Sequence, residues 1–147
     1  MIFAQMKEKH VAQVAALEKI CFGTEAWSEK SVASELENEL ALWIVADDDG
    51  KVLGYVGSQT VMGETDMMNV AVHPDCRKQG IATGLIVGLI GALKLRGSHS
   101  LTLEVRASNE PAKRLYESLG FAQIGLRKNY YRNPKEDALI LRKEWEI

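Results

Sequence analysis

Cysteine, histidine and net charge are all scarce in this chain. Its 147 residues hold two cysteines, Cys21 and Cys76, in no metal-ligand spacing and no disulfide framework, so a reducing, cytoplasmic setting is the default. The three histidines, His10, His73 and His99, are scattered and suggest no metal site. A formal net charge of −2 exerts no global pull toward nucleic acid or a membrane surface. Long apolar runs are missing too. The longest weakly polar stretch, Ile81 to Leu93, has 13 residues including three glycines, too short for a bilayer and suited to a buried helix. Met1 to Met6 runs straight into Lys7, Glu8 and Lys9, so no signal peptide is expected. Neither low-complexity linkers nor internal repeats divide the chain, and its length suits one domain over residues 1–147.

Two common phosphate motifs are absent as well. The sequence lacks G-x-x-x-x-G-K-[ST], which leaves triphosphate binding in the P-loop style unsupported, and it lacks G-x-G-x-x-G with an acid placed for a ribose. What charge there is lies unevenly. Residues 24–50 hold eight acids against one base, Lys30. That stretch reads either as an acidic face for a basic partner, with Glu35, Glu37 or Glu39 as its contacts, or as a solvated face followed by an acidic turn.

Periodicity predicts a short strand at Ile2–Met6 and an amphipathic helix at His10–Cys21, with Val11, Val14, Ala15, Ala16, Leu17 and Ile20 near one face. Ser28 is an N-cap for a second helix, Glu29–Leu40. Strands follow at Ala41–Asp47, Val52–Val61 and Thr65–Val72, separated by the turn signals Asp48-Asp49-Gly50 and Met62-Gly63-Glu64. Helix Gly80–Arg96 comes next, then strand Ser100–Arg106, a helix from Asn109-Glu110-Pro111 to Leu119, and strands Phe121–Lys128 and Ala138–Arg142. Gly84, Gly88 and Gly91 share one side of the long helix and imply close packing on a sheet. The order β α α β β β α β α β β predicts an α/β (α+β) fold: a mixed central sheet of about seven strands with helices on both faces.

The stretch Asn69–Arg96 passes from strand through the loop Asp75–Gln79 into a helix opened by Gly80, with Arg77 and Lys78 just ahead. A helix N-terminus presents unpaired N–H groups and a partial positive charge. Basic residues and small residues there make a seat for a phosphate or pyrophosphate.

Several segments then sharpen the reading: Ala26-Trp27-Ser28-Glu29-Lys30, Asn69-Val70-Ala71-Val72, Leu103 to Asn109 (LEVRASN), Leu115 to Phe121 (LYESLGF) and Arg127 to Tyr131 (RKNYY). With the loop Arg77 to Ala82, they resemble the GNAT superfamily of acyl-CoA-dependent N-acyltransferases, over nearly the whole chain. Within it they resemble the RimI family of N-terminal protein acetyltransferases. Ala26 stands where that family often has Pro, and Cys76 where an aromatic is frequent.

The resemblance implies acetyl-CoA as co-substrate, with no metal. Val70, Ala71 and Val72 would pair with its pantetheine, Arg77, Lys78, Gln79, Gly80, Ile81, Ala82 and Thr83 would hold its pyrophosphate, and Asn109 would contact its lower part. Glu104 would be the general base and Tyr116 the general acid. Trp27, Tyr130 and Tyr131 would line the peptide groove. The residues alone leave other roles open: Asn109 as a helix cap, Glu104 paired with Arg106 on the same strand face, Tyr116 as a core aromatic, and Trp27 as packing. The expected reaction is acetyl transfer to a protein N-terminal amine, that of alanine in a small-subunit ribosomal protein. The runners-up are acetylation of lysine or a small amine, and a non-catalytic acyl-CoA-binding module. Neither nucleic acid nor membrane is expected as a direct partner, and a monomer is favoured.

Overall fold

The computed structural model describes residues 1–146. Strand β1 (Ile2–Gln5) leads into helix α1 (Glu8–Phe22). There the Lys7 backbone N–H donates to His10 Nδ1 at 2.9 Å, closing the open end of the helix. Gly23, at φ +58°, ends it. The buried face of α1 differs from the expected one. Ala16 and Ile20 are exposed, whereas His10 and Glu18 are buried beside Val11, Val14, Ala15 and Leu17.

Helix α2 starts as predicted, with Ser28 Oγ accepting from the Ser31 N–H at 3.1 Å, but it spans only Glu29–Ser34. The expected continuation to Leu40 fails for a local reason. The Ser34 hydroxyl donates to the Ser31 carbonyl at 2.6 Å, the acceptor that an α-helical Glu35 N–H would use. The Glu35 N–H turns to Val32 instead, and Asn38 Oδ1 accepts from the Leu40 N–H at 3.0 Å, leading the chain into the sheet.

Among the described residues, seven strands form one mixed sheet in the order β1-β2-β3-β4-β5-β7-β6. The remaining members are β2 (Ala41–Asp48), β3 (Lys51–Val61), β4 (Glu64–Val72), β5 (Ser100–Arg106), β6 (Ala122–Tyr131) and β7 (Glu136–Glu144). All neighbours are antiparallel except β4 and β5. Those two are joined through helix α3 (Ile81–Leu95), and helix α4 (Glu110–Ser118) connects β5 to β6.

Strand β2 is buried on both faces, and its alternation assigns them. Leu42, Ile44 and Ala46 join a core with Leu85, Ile86, Leu89 and Leu93 of α3. Ala41, Trp43 and Val45 join a second core with Val11, Val14 and Leu17 of α1 and Val32 of α2. Each of the four α3 side chains is fully buried, a gain of about 1.5–3 kcal/mol apiece. Close approach explains Gly84, where an added Cβ would stand 2.1 Å from the Phe3 ring, but not Gly88, where the nearest atom would be 3.7 Å away, an ordinary contact. Nor does it explain Gly91, whose surroundings are open. No described helix is long and apolar enough to cross a membrane.

Two irregularities shape the centre of the sheet. Opposite β3, Gly57 pairs with Asn69 and Ser58 with Met67, so Met68 is an extra residue and forms a bulge. On the other side, β4 pairs with β5 only from Glu64–Ser100 to Asp66–Thr102. Beyond that the two parallel strands part.

Candidate active site

The parting of β4 and β5 opens a cleft containing two adjoining cavities, of about 670 and 600 Å³. Phe22, Val70, Asn109, Ala112 and Tyr116 line both.

The first cavity draws on backbone as well as side chains. Its walls are Val70–Val72 of β4, the loop to α3, the first turn of α3, and α4. Past Asp66 the described pairing with β5 has ended, so alternate N–H and C=O groups of this β4 segment are open to a ligand. In the loop, Lys78 and Gly80 take left-handed backbone angles, φ +64° and +78°. Nothing lies within 4 Å of a Cβ built on Gly80, so conformation rather than crowding asks for glycine there. The turn aims the opening N–H groups of α3 at the cavity, and Ile81, Ala82 and Thr83 line it. Arg77 Nε donates to the Val72 carbonyl at 3.3 Å, which folds its guanidinium back over the end of β4. Together these groups suit a doubly charged pyrophosphate. Of the loop residues singled out from sequence, Gln79 alone is not among the lining residues.

Side chains dominate the second cavity: Asp66, Met67, Met68 and Asn69 of β4, Thr102–Arg106 of β5, and Arg127, Tyr130 and Tyr131 of β6. Glu104 is half-buried and pairs with Arg127, whose Nε lies 3.3 Å from its Oε1. The alternative partner, Arg106, is engaged elsewhere. It reaches Glu136 at 3.4 Å and the Pro134 carbonyl at 3.1 Å, and sits 4.2 Å over the Tyr131 ring. The Tyr130 phenol is pushed up, first by its hydrogen bond to Glu104 and then by that carboxylate's charge. Tyr131 is pushed up chiefly by burial.

Tyr116, on α4, stands where the cavities meet. Its ring packs edge-on against Phe121 with centroids 5.5 Å apart. Burial, followed by the field of Tyr131, pushes its phenol up to about 12. The hydroxyl therefore keeps its proton at neutral pH and can donate it. Asn109 does both of the things its sequence allowed. Its Oδ1 caps α4 by accepting from the Ala112 N–H at 3.2 Å, and the residue lines both cavities.

Trp27 does not line either cavity. It packs edge-on against Trp43, with centroids 5.4 Å apart, and its backbone N–H donates to Glu18. The side chains of the acidic stretch are partly spoken for: Glu35 accepts from Trp43 Nε1 at 3.3 Å and from Asn38 at 3.1 Å.

Sequence reasoning missed Phe22, Asn69 and Arg127 as cleft residues, and Glu18 beneath them. For Glu18 a signal existed: a charged residue at the helical spacing of the apolar positions Val11 and Val14. Arg127 stood in the RKNYY segment, but nothing there marked it as the partner of Glu104, because β7 lies between their two strands.

The acetyltransferase (GNAT) family profile matches residues 11–121, and the chain belongs to that family. More particularly, it is 43% identical over 117 residues to the ribosomal protein bS18-alanine N-acetyltransferase of Escherichia coli strain K12, covering 78% of each chain. The crystal structure of the ribosomal-protein-S18-alanine N-acetyltransferase from Escherichia coli superposes with a TM-score of 0.89 at 34% identity, over 99% of this chain and 94% of that one. An aminoglycoside 6'-N-acetyltransferase complexed with coenzyme A shares the fold, with a TM-score of 0.86 at 18% identity, over 98% of this chain and 97% of that one.

Proposed function

We propose that this protein transfers an acetyl group from acetyl-CoA to the N-terminal α-amine of a protein, the acceptor being the N-terminal alanine of a small-subunit ribosomal protein. The observation that carries the reading is the placement of Tyr116 at the junction of two cavities, one built for an anion and the other holding Glu104. The kinship with enzymes named for ribosomal protein bS18 alanine supports the acceptor.

The fit to acetyl-CoA rests on the open edge of β4, the α3 N-terminus and Arg77. When bound, that co-substrate supplies the thioester whose acyl carbon is attacked. The chain's own groups do the rest. The acceptor amine must be neutral to attack, and an α-amine, with a pKa of about 8 against about 10.4 for lysine, gives up its proton more readily near neutrality. Glu104 takes that proton, through a water. As the new C–N bond forms and the C–S bond breaks, the Tyr116 hydroxyl gives its proton to the departing sulfur. Tyr130 and Tyr131 wall the space for the acceptor's first residues. Direct attack needs no covalent enzyme intermediate, and Cys76, in the loop, is not assigned as a nucleophile.

The test is CoA release with three acceptors: an N-terminal alanine peptide, a lysine peptide with a blocked N-terminus, and none. Release with the alanine peptide alone is the expected result. Faster release with the blocked lysine peptide would overturn the proposed acceptor.

A further inference from the structure

Glu18 has no exposed surface, yet it sits on the helix face that packs against the sheet. An apolar residue there would extend the stripe of Val11, Val14 and Leu17, whereas burying a carboxylate is expensive. Packing alone therefore does not account for it. Its hydrogen bonds do. Oε1 accepts from the Tyr55 hydroxyl of β3 at 2.6 Å and from the Asn69 side-chain amide of β4. Oε2 accepts from the Trp27 backbone N–H, ahead of α2, at 3.0 Å. All three partners are neutral donors, a set that suits a group acting purely as an acceptor. Tyr55 is held as a donor, since burial and then the bond to Glu18 push its phenol far up.

The bonded segments meet around the second cavity. Asn69 lines it, directly after the bulge residue Met68, which lines it too. Phe22, one turn beyond Glu18 on α1, lines both cavities. A 3-10 turn, Gly23–Glu25, then carries the chain from Phe22 toward Trp27. We propose that Glu18 is a positioning residue for the acceptor: it fastens the last turn of α1 and the Trp27 segment to the bulge of β4, and so fixes where Phe22 and Asn69 stand against the acceptor's first residue. This assignment rests on the reading of the second cavity as the acceptor site.

Steady-state kinetics separate it from a purely structural role. In Glu18→Gln the remaining carbonyl can still accept from Tyr55 and Asn69, but the new amide confronts the Trp27 N–H with a second donor. The KM for an N-terminal alanine peptide is expected to rise about tenfold, the scale of one lost hydrogen bond to a charged group, with the KM for acetyl-CoA unchanged. Tyr55→Phe, at a residue that lines neither cavity, is expected to raise the peptide KM by a smaller factor, and it decides the matter if Glu18→Gln does not fold. A lowered Tm with an unchanged peptide KM in the deciding variant overturns the assignment, as does an equal rise in both KM values. A wild-type enzyme that binds acetyl-CoA but acetylates no alanine peptide overturns the acceptor reading itself, and this one with it.

Discussion

The two halves of the cleft are built from different materials. The side proposed for CoA offers backbone groups: the unpaired edge of β4, a left-handed loop and the first turn of α3. The side proposed for the acceptor gathers side chains from β4, β5 and β6, where Glu104 pairs with Arg127, while Arg106 reaches out of the cavity to Glu136 of β7. Backbone groups are the same whatever the residue, so the first half is defined by conformation and tolerates changes of side chain. The second half is defined by particular functional groups and does not. Tyr116, at the junction, belongs to both.

Substitutions sharpen or break that contrast. The largest effect is expected for Tyr116→Phe, which keeps the ring against Phe121 and removes the proton donor. Turnover should fall by about 10²–10⁴-fold, the range of general acid–base contributions, with acetyl-CoA binding, followed by calorimetry, nearly intact. Normal turnover would remove Tyr116 from its role. Glu104→Gln should slow turnover by about 10²-fold, at the low end of that range, since a water can pass the proton to solvent. Undiminished kcat in CoA-release assays would show that Glu104 serves only to pair Arg127.

On the other side, Gly80→Ala forces a side chain into the left-handed region at φ +78°. The strain, about 1–2 kcal/mol, should lower Tm and raise the KM for acetyl-CoA while leaving that for the peptide unchanged. A matching rise in the peptide KM would mean that the halves are not separable. Arg77→Ala should have the smallest effect, about two- to fivefold on the KM for acetyl-CoA, the scale of an exposed charge contact. It should shrink as salt is added.

Tyr116 also has a signature in stability. Its phenol ionises near 10.0 in the unfolded chain but resists up to about 12 when folded. Its stabilising contribution is therefore full below pH 10 and lost as pH rises toward 12. Urea unfolding of Tyr116→Phe should show a shallower loss of stability across that window than the parent enzyme.

The same division explains what could be read from the sequence. The strand–loop–helix proposed to seat CoA is local, and Gly80 with its basic neighbours marks it. The order of elements followed from periodicity and turn residues. Helix α2 was overextended because the competition of the Ser34 hydroxyl for the Ser31 carbonyl leaves no trace in the apolar pattern. The acceptor side was harder. Glu104 and Arg106 share a strand face, which suggested that they pair, but each is claimed by a residue more than 20 positions away. Trp27 looked like a groove residue by its motif, whereas Trp43 provides a nearby aromatic surface that holds it. Glu18 and Asn69, 51 positions apart, are brought together by the topology alone.

The bulge at Met68 acts on β4 much as an inserted base acts on a reading frame. Met67, Val70 and Val72 pack against the α3 core, while Ala71 packs against the α1 core. The step of three between Met67 and Val70 is where the strand changes phase. Running β4 through this point without the bulge, every residue kept, would restore strict alternation and turn everything after it over. Asn69 would be directed into the α3 core, away from Glu18, and the edge that faces the CoA cavity would offer the opposite set of backbone groups. A change of register that alters no residue would thus rewrite both halves of the cleft, because their alignment is stored in the bulge as well as in the side chains.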